Sequence, residues 1–159
     1  MTTTYGATGL AQTSTPNTVA ELVPVNTLQK PVELGTNALR LLGVARGVSG
    51  NSTGDAAVML VINASSWLPV NMVTANGQVS GVAGSIATLA LGLFTAAAAG
   101  GTAIKSNAAL ASNSAANSAI VTATTVTAVA QTAQSVYVNV GTALANSTLD
   151  IFLYGYDLT

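Results

Sequence analysis

Five carboxylates are the side chains of this sequence best suited to acid–base chemistry: Glu21, Glu33, Asp55, Asp150 and Asp157. A hydrolytic pair of carboxylates must face one cleft. Asp150 and Asp157 fall within one predicted strand, but an odd number of positions separates them, and successive side chains of a strand point to opposite faces. Glu21 and Glu33 lie in the region of a predicted N-terminal arm. We therefore predict no catalytic pair of carboxylates.

Nucleophilic and metal-dependent chemistry lack their usual residues as well. The sequence contains no histidine and no cysteine, so a serine or threonine nucleophile has no imidazole base. Neither Lys30 nor Lys105 belongs to a Ser-x-x-Lys pattern, and no Gly-x-x-x-x-Gly-Lys phosphate loop is present. Loop oxygens near Asp55 could hold a calcium ion, although the composition there favours an ordinary turn. We expect no catalytic residue, no cofactor, no metal ion and no enzymatic activity.

Four aromatic side chains could form a stacking surface for a sugar: Tyr137, Phe152, Tyr154 and Tyr156. The last three share one face of a predicted strand, because they are two positions apart. The same pattern is typical of side chains that fill a core or a contact between subunits, and we favour that interpretation. Trp67, at the start of another predicted strand, is interpreted as a core anchor.

The composition predicts a single domain with an unusually uncharged surface. Of the 159 residues, 50% are hydrophobic but only 6% are charged, and the formal net charge is −1. Soluble domains carry about 25% charged residues, so Thr, Ser, Asn, Gly and Ala must cover this surface, which suits a protein with close neighbours. The basic side chains are too few for a surface that follows phosphates, and nucleic acid is not an expected partner.

The apolar stretch 81–101 is long enough for a transmembrane helix, but its pattern favours a strand. Leu89, Leu91 and Leu93 alternate with smaller residues, which places three leucines on one face of a strand. The stretch also lacks an aromatic belt and flanking basic residues. We expect neither a membrane-spanning helix nor a membrane partner, and the Thr-rich N-terminus does not have the pattern of a signal peptide.

The chain beyond this stretch reads as short strands joined by Gly-, Asn- and Ser-rich loops. Pro69 indicates an edge position or a bulge, Asn76–Gly77 indicates a turn, and the apolar run 57–63 indicates a central strand. The segments 135–141 and 149–158 are predicted to form a hairpin. The fold class is therefore predicted to be all-β, an antiparallel, jelly-roll-like β-sandwich. Strands are predicted at 57–63, 67–74, 86–96, 118–129, 135–141 and 149–158.

Two regions of the chain are predicted to differ in organisation: an extended N-terminal arm at 1–28 and the β-sandwich body at 29–159. Residues 1–28 are rich in Thr, Ser and Asn and contain few large apolar residues before Leu22. Such a segment could be a disordered terminus or an arm that orders against a neighbouring subunit. Both interpretations stay open.

Three segments resemble small virion proteins of tailed bacteriophages, namely capsid decoration or cement proteins. They read Leu-Gly-Leu-Phe-Thr-Ala-Ala-Ala-Ala-Gly-Gly-Thr-Ala-Ile at 91–104, Ser-Val-Tyr-Val-Asn-Val-Gly-Thr-Ala at 135–143 and Leu-Asp-Ile-Phe-Leu-Tyr-Gly-Tyr-Asp-Leu at 149–158. The resemblance implies a virion structural protein on the capsid exterior, a homotrimer that binds the major capsid protein and stabilises the shell. It also implies that terminal extensions contact neighbouring capsid subunits.

Two other functions are compatible with the same residues. The chain could be the receptor- or glycan-binding head of a phage fibre, with Tyr154 and Tyr156 holding the sugar. It could also be the subunit of a self-assembling tube or filament.

Overall fold

The computed structural model of the chain describes residues 38–113 and 122–159, and every regular element in those ranges is a β-strand. No helix in the described ranges is long and apolar enough to cross a membrane, and the leucines of 81–101 lie in and beside a strand. The predicted arm at 1–28 and its boundary with the body lie outside the described residues. The strands are β1 (Arg40–Ser49), β2 (Gly54–Leu60), β3 (Trp67–Val79), β4 (Val82–Ala83), β5 (Ala90–Ala96), β6 (Gly100–Ala109), β7 (Thr122–Thr125), β8 (Ser135–Thr142) and β9 (Ser147–Asp157).

Two antiparallel sheets are built from these strands, and the predicted all-β sandwich is confirmed. Sheet A has four strands in the order β2–β8–β5–β6. Sheet B has the order β1–β9–β3–β4, and β7 also pairs with β3. Buried side chains of both sheets belong to one hydrophobic cluster, so the two sheets enclose a common core.

Alternation along the strands supplies that core, as the sequence pattern predicts. Leu89, Leu91 and Leu93 have no exposed surface, and β9 alternates buried and half-buried residues along its whole length. Trp67 is also fully buried, and its indole Nε1 donates a hydrogen bond to the carbonyl oxygen of Ala133 over 3.0 Å. The interpretation of Trp67 as a core anchor is confirmed.

The predicted hairpin of 135–141 and 149–158 is wrong. β8 pairs with β2 and β5 in sheet A, whereas β9 pairs with β1 and β3 in sheet B. The connection between β8 and β9 therefore crosses from one sheet to the other, as does the loop between β1 and β2. The two crossing segments are hydrogen-bonded to each other: Leu144 N–H donates to Gly50 O over 2.9 Å, and Gly50 N–H donates to Ser147 O over 3.0 Å. Each strand carries one apolar face, and facing layers bury both faces against each other.

The turn predicted at Asn76–Gly77 is also wrong, because both residues lie inside β3. Opposite them, the register of β9 shifts between Thr148 and Asp150, so Asn76 and Gly77 form a β-bulge. The left-handed φ of 54° at Asn76 belongs to this bulge. The hairpin turn between β3 and β4 lies at Ser80–Gly81, where φ is 55° and 81°, as a two-residue turn with both angles positive requires.

The apolar run 57–63 is not central: β2 is the edge strand of sheet A. Met59 and Val61 face the core, while Val58, Leu60 and Ile62 are exposed. The unbroken apolar run therefore supplies both a buried face and an exposed face of the strand. The bulge indicated by Pro69 is confirmed, since the register of β3 against β9 shifts between Tyr154 and Gly155, the partner of Pro69.

Candidate interaction surfaces

The carboxylates of β9 lie apart, as the odd interval between them predicts. Asp157 pairs with Arg40, and the Thr159 hydroxyl and backbone N–H, together with Arg40, hold the pKa of Asp157 below its ordinary value. Asp150 accepts hydrogen bonds from Gly47 N–H over 2.9 Å and from Asn76 Nδ2 over 2.7 Å. Each carboxylate is therefore engaged by its own neighbours at opposite ends of the strand.

Asp55 lies at the start of β2 and begins a series of hydrogen bonds across the outer face of sheet A. Its Oδ2 accepts from Ala98 N–H and its Oδ1 from Asn139 Nδ2, both over 2.7 Å. Asn107 Nδ2 in turn donates to Asn139 Oδ1 over 3.0 Å. The Ala98 N–H first, and then the Asn139 amide, lower the pKa of Asp55. Both oxygens of the residue considered for calcium thus have protein donors.

No group of three or more acidic side chains within the described ranges could hold a metal ion. Lys105 is the remaining charged residue of sheet A, and it is buried. Its Nζ donates to the carbonyl oxygens of Leu91 and Ser106 over 2.8 and 3.3 Å. Burial away from water lowers the pKa of Lys105.

The charges of the described body are therefore all engaged within the chain. Three cations and three anions give a formal charge of zero in these ranges. Arg46 completes the set, because its guanidinium lies 3.7 Å from Asp150 and 5.3 Å from the ring centroid of Phe152. A surface of this kind neither attracts nor repels a neighbour strongly through charge.

The aromatic residues of β9 form an outer face on sheet B. Phe152, Tyr154 and Tyr156 are half-buried and alternate with the core positions, so they do not fill the core, and the other part of the expectation, a contact between subunits, stays a prediction. A depression of about 390 Å³ lies over this face. Tyr137 is not part of it, because it belongs to β8 in sheet A. The depression is lined by Leu39, Asn71, Val73, Phe152 and Tyr154.

A second surface, which we call the apolar edge, consists of Leu41, Val58, Leu60 and Ile62. Their exposed fractions are 44, 47, 58 and 74%. β1 and β2 are the edge strands of different sheets, and the four side chains line a groove of about 470 Å³ between them. Gly43 lets the strands approach, because a Cβ there would lie 3.3 Å from Met59 Cβ. Sequence reasoning missed this surface. Its signal was that residues 58, 60 and 62, which share one face of the strand, are all apolar.

The apolar edge is large for a surface exposed to water. Its four side chains leave on the order of 400 Å² of apolar area exposed, the size of the largest and often functional patch on a typical monomer. Edge strands with such side chains recruit other chains unless charge or proline blocks them, and the groove lining contains neither. This surface is therefore suited to contact with another protein.

Comparison of the chain with known proteins identifies no relative. No protein-family model matches the sequence, and no curated protein or solved structure matches it.

Proposed function

We propose that the protein is a structural virion component that decorates a phage capsid and stabilises it by binding the lattice of the major capsid protein. The observation that best supports an assembly role is the apolar edge, a surface suited to protein contact on a body whose described charges are each ion-paired or hydrogen-bonded within the chain. A surface with few charges and no net charge in its described ranges can be crowded with copies at little electrostatic cost. The proposal includes a non-catalytic role on the capsid exterior.

The capsid itself enters the proposal through the resemblance of the segments at 91–104, 135–143 and 149–158. A lattice presents many identical sites, so modest contacts multiply when several copies bind together. In this proposal the arm at 1–28 extends over neighbouring capsid subunits, where ordering on contact covers area at modest affinity. The homotrimer that the resemblance implies stays a prediction.

The proposal is tested by cosedimentation of the purified chain with capsid shells that lack it. We expect saturable binding, with a copy number that is a fixed multiple of the capsid subunits, and shells that resist heat better when decorated. A chain lacking residues 1–28 should bind more weakly while its circular dichroism is unchanged. Absence of saturable binding to the shells would contradict the proposal, and equal binding of the shortened chain would contradict the role of the arm.

A second candidate function is supported by the depression over the aromatic face. Phe152 and Tyr154 supply rings and Asn71 supplies an amide, a combination that can stack on a sugar and bind its hydroxyls. A glycan-array signal that Tyr154→Ala abolishes would favour a receptor-binding head. Tyr137→Ala is the matched control, because Tyr137 lies on the other sheet and should leave such a signal unchanged.

A further inference from the structure

We infer that the apolar edge is a contact between two copies of this chain, which pack edge against edge about a twofold axis. The inference rests on the reading of this edge as an interface in the proposed function and names its partner. Each copy contributes Leu41, Val58, Leu60 and Ile62 to the contact.

The chemistry of the groove defines the kind of partner that it fits. Asn63 is the only polar side chain in its lining, and no charged side chain is present there. The nearby Arg40 is already paired with Asp157. A charged partner would lose hydration without gaining an ion pair, so the complementary surface is apolar and uncharged. The same edge of a second copy meets this requirement, and a body with zero formal charge in its described ranges is not repelled by its copy.

The backbone of β2 shows which of its groups a second copy can contact. Val61 N–H donates to Gln134 O over 3.0 Å, so this residue directs its backbone groups toward β8. Backbone groups alternate sides along a strand, and those of Leu60 and Ile62 therefore point away from β8. Within the described ranges β8 is the only strand paired with β2. On the side away from β8, β2 lies against β1, where a Cβ on Gly43 would be 3.6 Å from Leu60 O, so the contact between copies uses the exposed apolar side chains and not the strand backbone.

The size of the contact is consistent with a specific dimer. Two apolar edges bury on the order of 800 Å² of side-chain surface, and Val44 and Asn63 of the same groove lining bring the total to about 1,000 Å², the lower bound for a specific interface. With the axis beside Leu60, Val58 of one copy lies near Ile62 of the other. The contact is then isologous and closes at two chains, so the inference gives a dimer in place of the homotrimer that the resemblance implies.

Sedimentation equilibrium of the full chain, with Leu60→Asp as the variant, tests the inference. We expect the wild type to reach the mass of two chains and Leu60→Asp to weaken the dimer about 100-fold or more, because a carboxylate enters an apolar contact. Val82→Asp is the matched control: Val82 is 66% exposed and Leu60 58%, but Val82 is not part of the groove lining, and its variant should dimerise like the wild type. Circular dichroism verifies that both variants are folded.

A cysteine variant gives a second measurement, since the chain has no cysteine of its own. Leu60→Cys should form a disulfide-linked dimer under mild oxidation, whereas Val82→Cys should stay mostly monomeric. A monomeric wild type, a mass of three chains, or a dimer that Leu60→Asp leaves intact would each overturn the inference. Capsid cosedimentation is measured separately, so a monomer that still binds shells would reject the twofold contact and leave the proposed function standing.

Discussion

Substitution of Gly155 is the most direct test of how closely β9 packs against its neighbouring strands in sheet B. Gly155 lies between Tyr154 and Tyr156 and pairs with Arg40 of β1 on one side and with Pro69 of β3 on the other. A Cβ at this position would lie 2.1 Å from the carbonyl oxygen of Leu68 and 2.7 Å from Leu42 Cδ1. The leucine side chain can rotate away, but the Leu68 oxygen belongs to a paired strand and cannot.

The cost of Gly155→Ala follows from that contact. Relief of the clash requires the backbone of β3 to move by about 1 Å, and overpacking of this severity costs about 3 kcal/mol. Since 1 kcal/mol corresponds to about 4 °C in Tm for a domain of this size, we expect a loss of about 12 °C. Thermal unfolding followed by circular dichroism measures the loss.

Gly47→Ala is the matched control for the same chemical change. Gly47 has a φ of 60°, and a Cβ there would meet nothing within 4 Å, so its variant carries only the left-handed backbone cost of about 1 kcal/mol. Its Tm should fall by about 4 °C. A Gly155→Ala variant that loses no more than Gly47→Ala would refute the close approach of β3 and β9.

Two further predictions concern the pH dependence of stability that the two charged side chains of sheet A, Asp55 and Lys105, contribute. The pKa of Asp55 lies below its ordinary value of 3.8, so the stability contributed by its carboxylate is complete above that value and is lost as the pH falls through the lowered one. Urea unfolding should show the wild type more stable than Asp55→Asn at neutral pH, with the difference vanishing at low pH; a constant difference would contradict this. The pKa of Lys105 lies below its ordinary value of 10.5, so the unfolded chain keeps its proton after the native chain has lost it, and stability rises with pH in that window. Relative to Lys105→Met, the wild type should gain stability as the pH rises toward 10.5, and parallel pH profiles of the two proteins would contradict the prediction.

Local patterns were sufficient to predict strands, the separation of their two faces and the anchor at Trp67. The alternation of 136, 138 and 140 groups the side chains that become buried, since the two-residue period of a strand is a local property. In β9 the same period separates the two faces but does not tell which is buried, and the core lies on the face of 149, 151 and 153 and not on the aromatic face. The separation of Asp150 from Asp157 follows from the same period. Pro69 likewise marks a bulge because it has no backbone N–H to donate.

The pairing of those strands could not be predicted in the same way. β8 and β9 read as a hairpin because a short polar loop joins two alternating segments, but a sequence does not reveal that the loop at 50–51 lies beside it and bonds to it. Asn76–Gly77 reads as a turn, yet the left-handed φ that Asn76 adopts belongs to a bulge opposite β9. The position of β2 at an edge depends on strands that are distant in the chain.

The sequence alone determined that this protein is built from strands with one apolar face and that it carries few charged side chains, because both properties follow from residue type and local period. The tertiary structure decided which apolar residues remain in water. Val58, Leu60 and Ile62 belong to the same run as the buried Met59 and Val61, and only the placement of β2 beside β1, with no further strand paired to it in the described ranges, exposes their face. The candidate site is therefore a product of strand order, which long-range packing sets and residue spacing does not record.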